Sequence, residues 1–180
     1  MNFGRYRHVL DVGGSGGLSI ALSQRWPGLR ATIVELPSVA PIAEQYVGEA
    51  GLAGRIHVIH ADVLAAPLSG AFDVAVLRSL LQVLSPGDAQ TALRHVRPAL
   101  APGGTLYVLG QILDDARLRP EAAVLLNLVF LTYYEHGRSY TEAEHREWLE
   151  VAGFVGVERS LAANGLSVLT ARAPCDGGPG

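Results

Sequence analysis

The residues with the clearest chemical purpose are the acid and glycines of Val9-Leu10-Asp11-Val12-Gly13-Gly14-Ser15-Gly16-Gly17. An apolar run ends in an acid, and a glycine-dense turn opens onto a helical pattern from Leu18 to Trp26. Such a turn carries the C-terminal end of a strand to a nucleotide-type ligand: glycine bends sharply and leaves no side chain between backbone and ligand. No window reads Gly-x-Gly-x-x-Gly, and a phosphate loop would need a lysine, so neither pattern applies. Glu35 follows at roughly the twenty-residue spacing at which an acid reaches a ribose diol and accepts from both hydroxyls; the alternative is a solvated strand-end acid. All 14 basic residues are arginine, which excludes Schiff-base chemistry and lysine-dependent phosphate binding. The six histidines lack metal-ligand spacing and Asp114-Asp115 reads as a turn, so no metal is expected.

The elements that must position these groups follow from periodicity. Apolar, β-branched runs at 7–12, 31–35, 56–60, 73–77, 105–110, 155–159 and 167–171 predict strands. Helical patterns occupy 17–26, 39–51, 87–100, 120–134 and 142–152. Pro86-Gly87-Asp88 marks a helix start and Ala101-Pro102-Gly103-Gly104 a stop and turn. Thr141 with Glu144 predicts a capping box, Gly153 a C-cap, and Asn164-Gly165 a closing hairpin. The alternation predicts an α/β fold: a Rossmann-like, seven-stranded, mostly parallel sheet with helices on both faces and a C-terminal antiparallel hairpin. Residues 1–173 form one domain and 174–180 a disordered tail. A net charge of −3 offers no basic field for nucleic acid. The longest apolar stretch, 122–131, is broken by Asn127 and too short to span a bilayer. A lone cysteine, Cys175, and the lack of a signal-peptide pattern point to the cytoplasm.

Asp11-x-Gly13-x-Ser15-x-Gly17 resembles the Asp-x-Gly-x-Gly-x-Gly loop of class I S-adenosylmethionine methyltransferases, with serine at the middle glycine. Further pieces narrow the resemblance: His8 to Gly14, Leu29 to Thr32, Glu35-Leu36-Pro37, Gly51 to Arg55, Ala99 to Gly104, Tyr140 to Glu144 and Ala152-Gly153-Phe154. Over residues 6–173 the chain is similar to the catalytic domain of O-methyltransferases of the caffeate/hydroxyindole type and their bacterial relatives. The resemblance implies S-adenosylmethionine as cofactor, held by Asp11, Gly13, Gly14, Gly17, Glu35, Leu36, Asp62, Val63 and Arg78. Asp62 would accept from the adenine amino group while Val63 packs on the ring; Asp62 could instead be a loop or cap residue. Phe130, Tyr133 and Tyr134 fall where relatives contact an aromatic substrate, although Phe130 and Leu131 could equally be core. A flat phenol or polyketide-like ring suits such a lining.

Two departures accompany the match. The family's general base is a histidine, and this chain carries Gln82 there; the supporting glutamates fall at Gly110 and Ser139. Glutamine cannot take a proton at neutral pH and can only orient a hydroxyl, although it could equally be a polar residue near the pocket. An already acidic phenol would need only alignment. His136 is the best substitute base; His57 and His60 read as structural, His95 sits mid-helix and His145 reads as solvent-facing. The family's N-terminal dimerisation domain is expected to be absent: a homodimer mate or partner chain supplies it, or the chain is a fragment or a reduced stand-alone domain. The leading expectation is O-methylation of a small aromatic hydroxyl in bacterial secondary metabolism. The alternatives are a degenerate S-adenosylmethionine-binding subunit and a non-methylating enzyme.

Overall fold

Apolar runs that are buried on both faces specify a parallel sheet covered by helices, and the chain folds that way. The computed structural model describes residues 1–162 and 165–175. Its strands are β1 (His8–Val12), β2 (Arg30–Glu35), β3 (Ile56–His60), β4 (Phe72–Arg78), β5 (Leu100–Gly110), β6 (Val155–Leu161) and β7 (Ser167–Arg172). The helices are α1 (Gly17–Arg25), α2 (Ala40–Glu49), α3 (Pro86–Val96), α4 (Glu121–Tyr133) and α5 (Glu142–Val151). The sheet order is β3-β2-β1-β4-β5-β7-β6. β1 to β5 run parallel, while β7 is antiparallel to both β5 and β6.

The order matters because β1 and β4 are neighbours: the chain winds outward from β1 in one direction and from β4 in the other. The crevice where that direction reverses lies beyond the C-terminal ends of these two strands. Val74 and Val76 on one face and Ala75 and Leu77 on the other are fully buried, so β4 is held by cores on both sides. One core packs Leu93 of α3 and Leu149 of α5 against Leu106 and Leu169. The other packs Leu22 of α1 and Val47 of α2 against Val9 and Ile33. Each fully buried leucine contributes about 2 kcal/mol, so the strand ends are anchored more firmly than the loops they carry.

Three capping signals read from the sequence are present, but the helix expected over 87–100 ends at Val96: Arg97–Ala99 tightens into a 3-10 turn around Pro98, and Leu100 already belongs to β5. Ser85 caps α3 by accepting from the Asp88 N–H at 3.1 Å, and Thr141 and Glu144 form the reciprocal capping box of α5. Gly153 sits at φ 84°, the left-handed conformation that ends α5. Asp114 accepts from the backbone N–H groups of Leu118 and Arg119, and Asp115 from that of Ala143, so the acidic pair builds a turn.

Two further expectations change. Residues 101–104 lie inside β5 rather than ahead of it, at a register irregularity opposite Phe72 and Val74. Gly103 and Gly104 exchange backbone hydrogen bonds with Ala173, which keeps the segment paired. His145 is not solvent-facing: it is buried, its Nδ1 donates to the Thr141 carbonyl at 2.8 Å, and it packs beside Tyr140 and Trp148. Burial holds its pKa below the usual imidazole range. Ala163 and Asn164 of the expected hairpin turn, and residues 176–180 of the expected tail, lie outside the described residues.

Candidate functional site

The glycine turn leaves β1 at the sheet's switch point. Gly13, at φ 70°, donates its N–H to the Val34 carbonyl at 2.9 Å, which ties the turn to the end of β2. Gly14 carries the strictest requirement: a Cβ there would lie 2.4–2.5 Å from the carboxyl of Asp11. Asp11 is only 1% exposed. Its Oδ2 accepts from the Ser19 hydroxyl at 2.7 Å, whereas its Oδ1 is buried without a partner. Burial pushes this carboxyl up to about 6, against the pull of the Ser19 bond and the Arg78 charge. Above it, Asp11, Gly13, Gly14, Gly17, Arg78 and Ser79 line a cleft of about 200 Å³. An orphaned buried carboxylate oxygen beside a guanidinium suits a ligand end that carries both an amine and an acid.

A second cleft, of about 220 Å³, begins on the other side of Gly13 and is lined by Glu35, Leu36, Asp62, Val63 and Leu80 among others. One Glu35 oxygen accepts from the Leu36 N–H at 2.9 Å, and the other has no hydrogen-bond partner among the described residues. Asp62 serves two purposes. Its Oδ1 closes a turn by accepting from the Leu64 N–H at 2.8 Å, and the residue also lines the cleft. Gly13 is common to both clefts, so together they form one trough with a charged end, a carboxylate partway and a flat apolar slot.

The structure therefore brings together Asp11, Gly13, Gly14, Gly17, Glu35, Leu36, Asp62, Val63 and Arg78. Two supporting contacts escaped the sequence reading. Ser19, on the inward face of α1, holds Asp11. His95 donates from Nδ1 to the Val63 carbonyl at 2.7 Å, while its own carbonyl accepts from Leu68, so α3 clamps the loop after β3. A serine eight residues after the acid, on a helix that must pack back on β1, was the available signal for the first. No local signal marks the second, because it joins residues 32 apart in sequence.

Gln82 lies in a 3-10 turn, Leu81–Val83, beyond β4. Its Oε1 accepts from the Gln111 N–H at 3.2 Å, and its backbone carbonyl accepts from the Arg138 N–H at 2.9 Å. Gly110 faces it directly: a Cβ there would lie 2.8 Å from Oε1. Ser139 is buried, its N–H bonded to the Asn127 side chain and its hydroxyl to the Ala123 carbonyl. His136 is exposed, two residues before Arg138.

The aromatic residues are less gathered. Phe130 is buried and its ring lies 6.2 Å from that of Tyr134, but Tyr133 is 79% exposed. Leu131, weighed as core, is exposed, as are Leu125 and Leu128 (62%). None of Phe130, Tyr133 and Tyr134 lines the trough. Among the described residues no group of three or more His, Cys, Asp or Glu side chains could hold a metal ion, and no helix is long and apolar enough to cross a membrane.

A family model described as an O-methyltransferase domain matches residues 1–155. The chain is 34% identical over 148 residues to 3-hydroxy-5-methyl-1-naphthoate 3-O-methyltransferase of Streptomyces sahachiroi, covering 82% of this chain and 43% of that protein. It is 40% identical over 157 residues to aclacinomycin 10-hydroxylase RdmB of Streptomyces purpurascens, covering 84% and 40% respectively. Among solved structures, the S-adenosylmethionine-dependent methyltransferase SibL in its apo form superposes with a TM-score of 0.86 at 30% identity, covering 96% of this chain and 52% of that one. The chain thus spans about half the length of the relatives it matches.

Proposed function

The chain belongs to the O-methyltransferase domain family, and from that premise we propose that it is the catalytic domain, residues 1–173, of an S-adenosylmethionine-dependent O-methyltransferase. Its substrate is a small aromatic hydroxyl compound of bacterial secondary metabolism, as the naphthoate relative suggests. The observation that carries the proposal is the single trough at the switch point, with the orphaned Asp11 Oδ1 at one end and the free oxygen of Glu35 along it.

When bound there, S-adenosylmethionine supplies a methyl group on a positively charged sulfur. The residues present fit that molecule. Asp11 and Arg78 carry the charges opposite to an amine and a carboxylate; the glycines let the backbone approach. Glu35 accepts from the two ribose hydroxyls. Asp62 accepts from the adenine amino group, and Leu36 and Val63 flank the ring. Gln82 stands at the adjoining strand ends as the residue that orients the substrate oxygen, with the exposed His136 two residues before Arg138, whose N–H bonds the Gln82 carbonyl. Phe130, Tyr133 and Tyr134 contribute to an aromatic wall that a further domain, a homodimer mate or a partner chain completes. The exposed leucines of α4 support that completion, because apolar surface of this kind is ordinarily covered. The enzyme works in the cytoplasm, where its exposed Cys175 stays reduced.

Calorimetric titration with S-adenosylhomocysteine tests the proposal. Wild-type chain is expected to bind, and Glu35→Ala to bind roughly 10- to 100-fold more weakly, the loss of two charge-assisted hydrogen bonds. A folded wild-type chain that does not bind would sink the proposal. The similarity to a hydroxylase, together with Gln82 at the base position, favours a second reading in which the same cofactor site serves non-methylating chemistry. Mass analysis of the product separates the two: a gained methyl supports the first, a gained oxygen the second.

A further inference from the structure

The hydrogen bonding of Gln82 constrains what it can offer a substrate. A backbone N–H can only donate, so the amide atom facing Gln111 must be the oxygen. One lone pair of the Gln82 side-chain oxygen is therefore engaged by the residue just beyond β5. The NH2 group, on the other side of the amide, has no partner among the described residues, and Gln82 is only half-buried. The positions of the family's base and its two supporting glutamates carry no side chain that takes a proton at neutral pH: Gln82 is an amide, Gly110 has no side chain, and Ser139 donates its hydroxyl to the Ala123 carbonyl. Arg138, bonded to Gln82 through its backbone, adds a cation without a carboxylate partner among the described residues, its guanidinium 5.2 Å from the Tyr140 ring centroid. A free amide donor where a base would stand stabilises negative charge and does nothing to remove a proton.

We propose that this site selects its aromatic substrate as an oxyanion, with the Gln82 NH2 donating to the ionised oxygen. The inference rests on the methyl-transfer reading above and names the substrate class within it: phenols made acidic by a conjugated ring carbonyl, such as hydroxyquinones and acylphenols. An oxyanion brings the lone pair that forms the new carbon–oxygen bond and has no proton to surrender. Its negative charge and the positive charge on the donor sulfur cancel as the carbon–sulfur bond breaks, so no base is needed.

The test compares two probes of similar ring size at neutral pH in the presence of S-adenosylhomocysteine: lawsone, a hydroxynaphthoquinone that is ionised there, and a naphthol that is not. Wild-type chain is expected to bind lawsone at least about tenfold more tightly, the contribution of one charge-assisted hydrogen bond. Gln82→Leu removes the donor. Gln82→Glu keeps an acceptor for the Gln111 N–H, so it tests the same loss without disturbing the end of β5. Both variants are expected to abolish the preference while binding S-adenosylhomocysteine as wild type does. Equal binding of the probes, binding of neither, or a preference that survives both variants but is lost in His136→Gln would overturn the inference. Failure of the cofactor itself to bind would instead count against the methyl-transfer reading.

Discussion

Gly14→Ala is expected to destabilise the chain by about 3 kcal/mol or more and to eliminate measurable binding of S-adenosylhomocysteine. The added methyl would sit 2.4–2.5 Å from the Asp11 carboxyl, which cannot yield easily because it is buried and bonded to Ser19. Moving it breaks a hydrogen bond to a charged group, a loss of about 1.5–3 kcal/mol, in addition to about 1–3 kcal/mol of overpacking. The consequence is also geometric: if the turn lifts instead, Gly13 loses its bond to Val34 and the two clefts separate. A double-mutant cycle with Asp11→Ala checks the cause. Removing the carboxylate should relieve most of the stability cost of Gly14→Ala, and strictly additive effects would show that the clash is not what matters.

Asp11→Asn should stabilise the ligand-free chain while weakening cofactor binding. Burial raises the Asp11 pKa from 3.8 to about 6 in the folded chain, so the folded state holds this proton more tightly than the unfolded one. Holding the group ionised therefore costs stability, by on the order of 3 kcal/mol once the pH is above the folded value. That cost is absent below about pH 4, grows as the pH rises between the unfolded and folded values, and is constant above them. Chemical unfolding of both proteins across this range should show Asn and Asp variants nearly equal at the acidic end. The Asn variant should be more stable at neutral pH. Calorimetry should show the opposite order for S-adenosylhomocysteine. A stability difference that does not vary with pH would refute the assignment. A charge retained in a buried place at such a cost is the mark of a functional group.

Much of this arrangement was legible in the sequence because it is local. Strand and helix periods placed β1 to β7 and α1 to α5 within a few residues, and the strand-end acids Glu35 and Asp62 could be read from position alone. The capping box at Thr141 and the glycine at Gly153 were equally visible. What escaped was set by tertiary packing. His145 looks like a surface residue on a charged helix, and only the meeting of α5 with Tyr140 buries it. Residues 101–104 carry every mark of a free turn, but pairing with Ala173 and Phe72 draws them into β5. Leu131 belongs to an apolar run that reads as core, yet nothing in the described chain covers it.

The contact between Gln82 and Gly110 has a consequence for substitution. If relatives use a histidine supported by a glutamate at these two places, a single substitution cannot take this chain there. A β-carbon at 110 would lie 2.8 Å from the Gln82 oxygen, the tip of a flexible side chain that swings aside only by releasing the Gln111 N–H, whereas a histidine at 82 alone finds no carboxylate at 110 or 139 and also abandons that N–H. Each single change gives up the Gln111 bond without completing the pair. Two sites in contact respond to substitution non-additively, so what a change at either one does depends on which residue occupies the other.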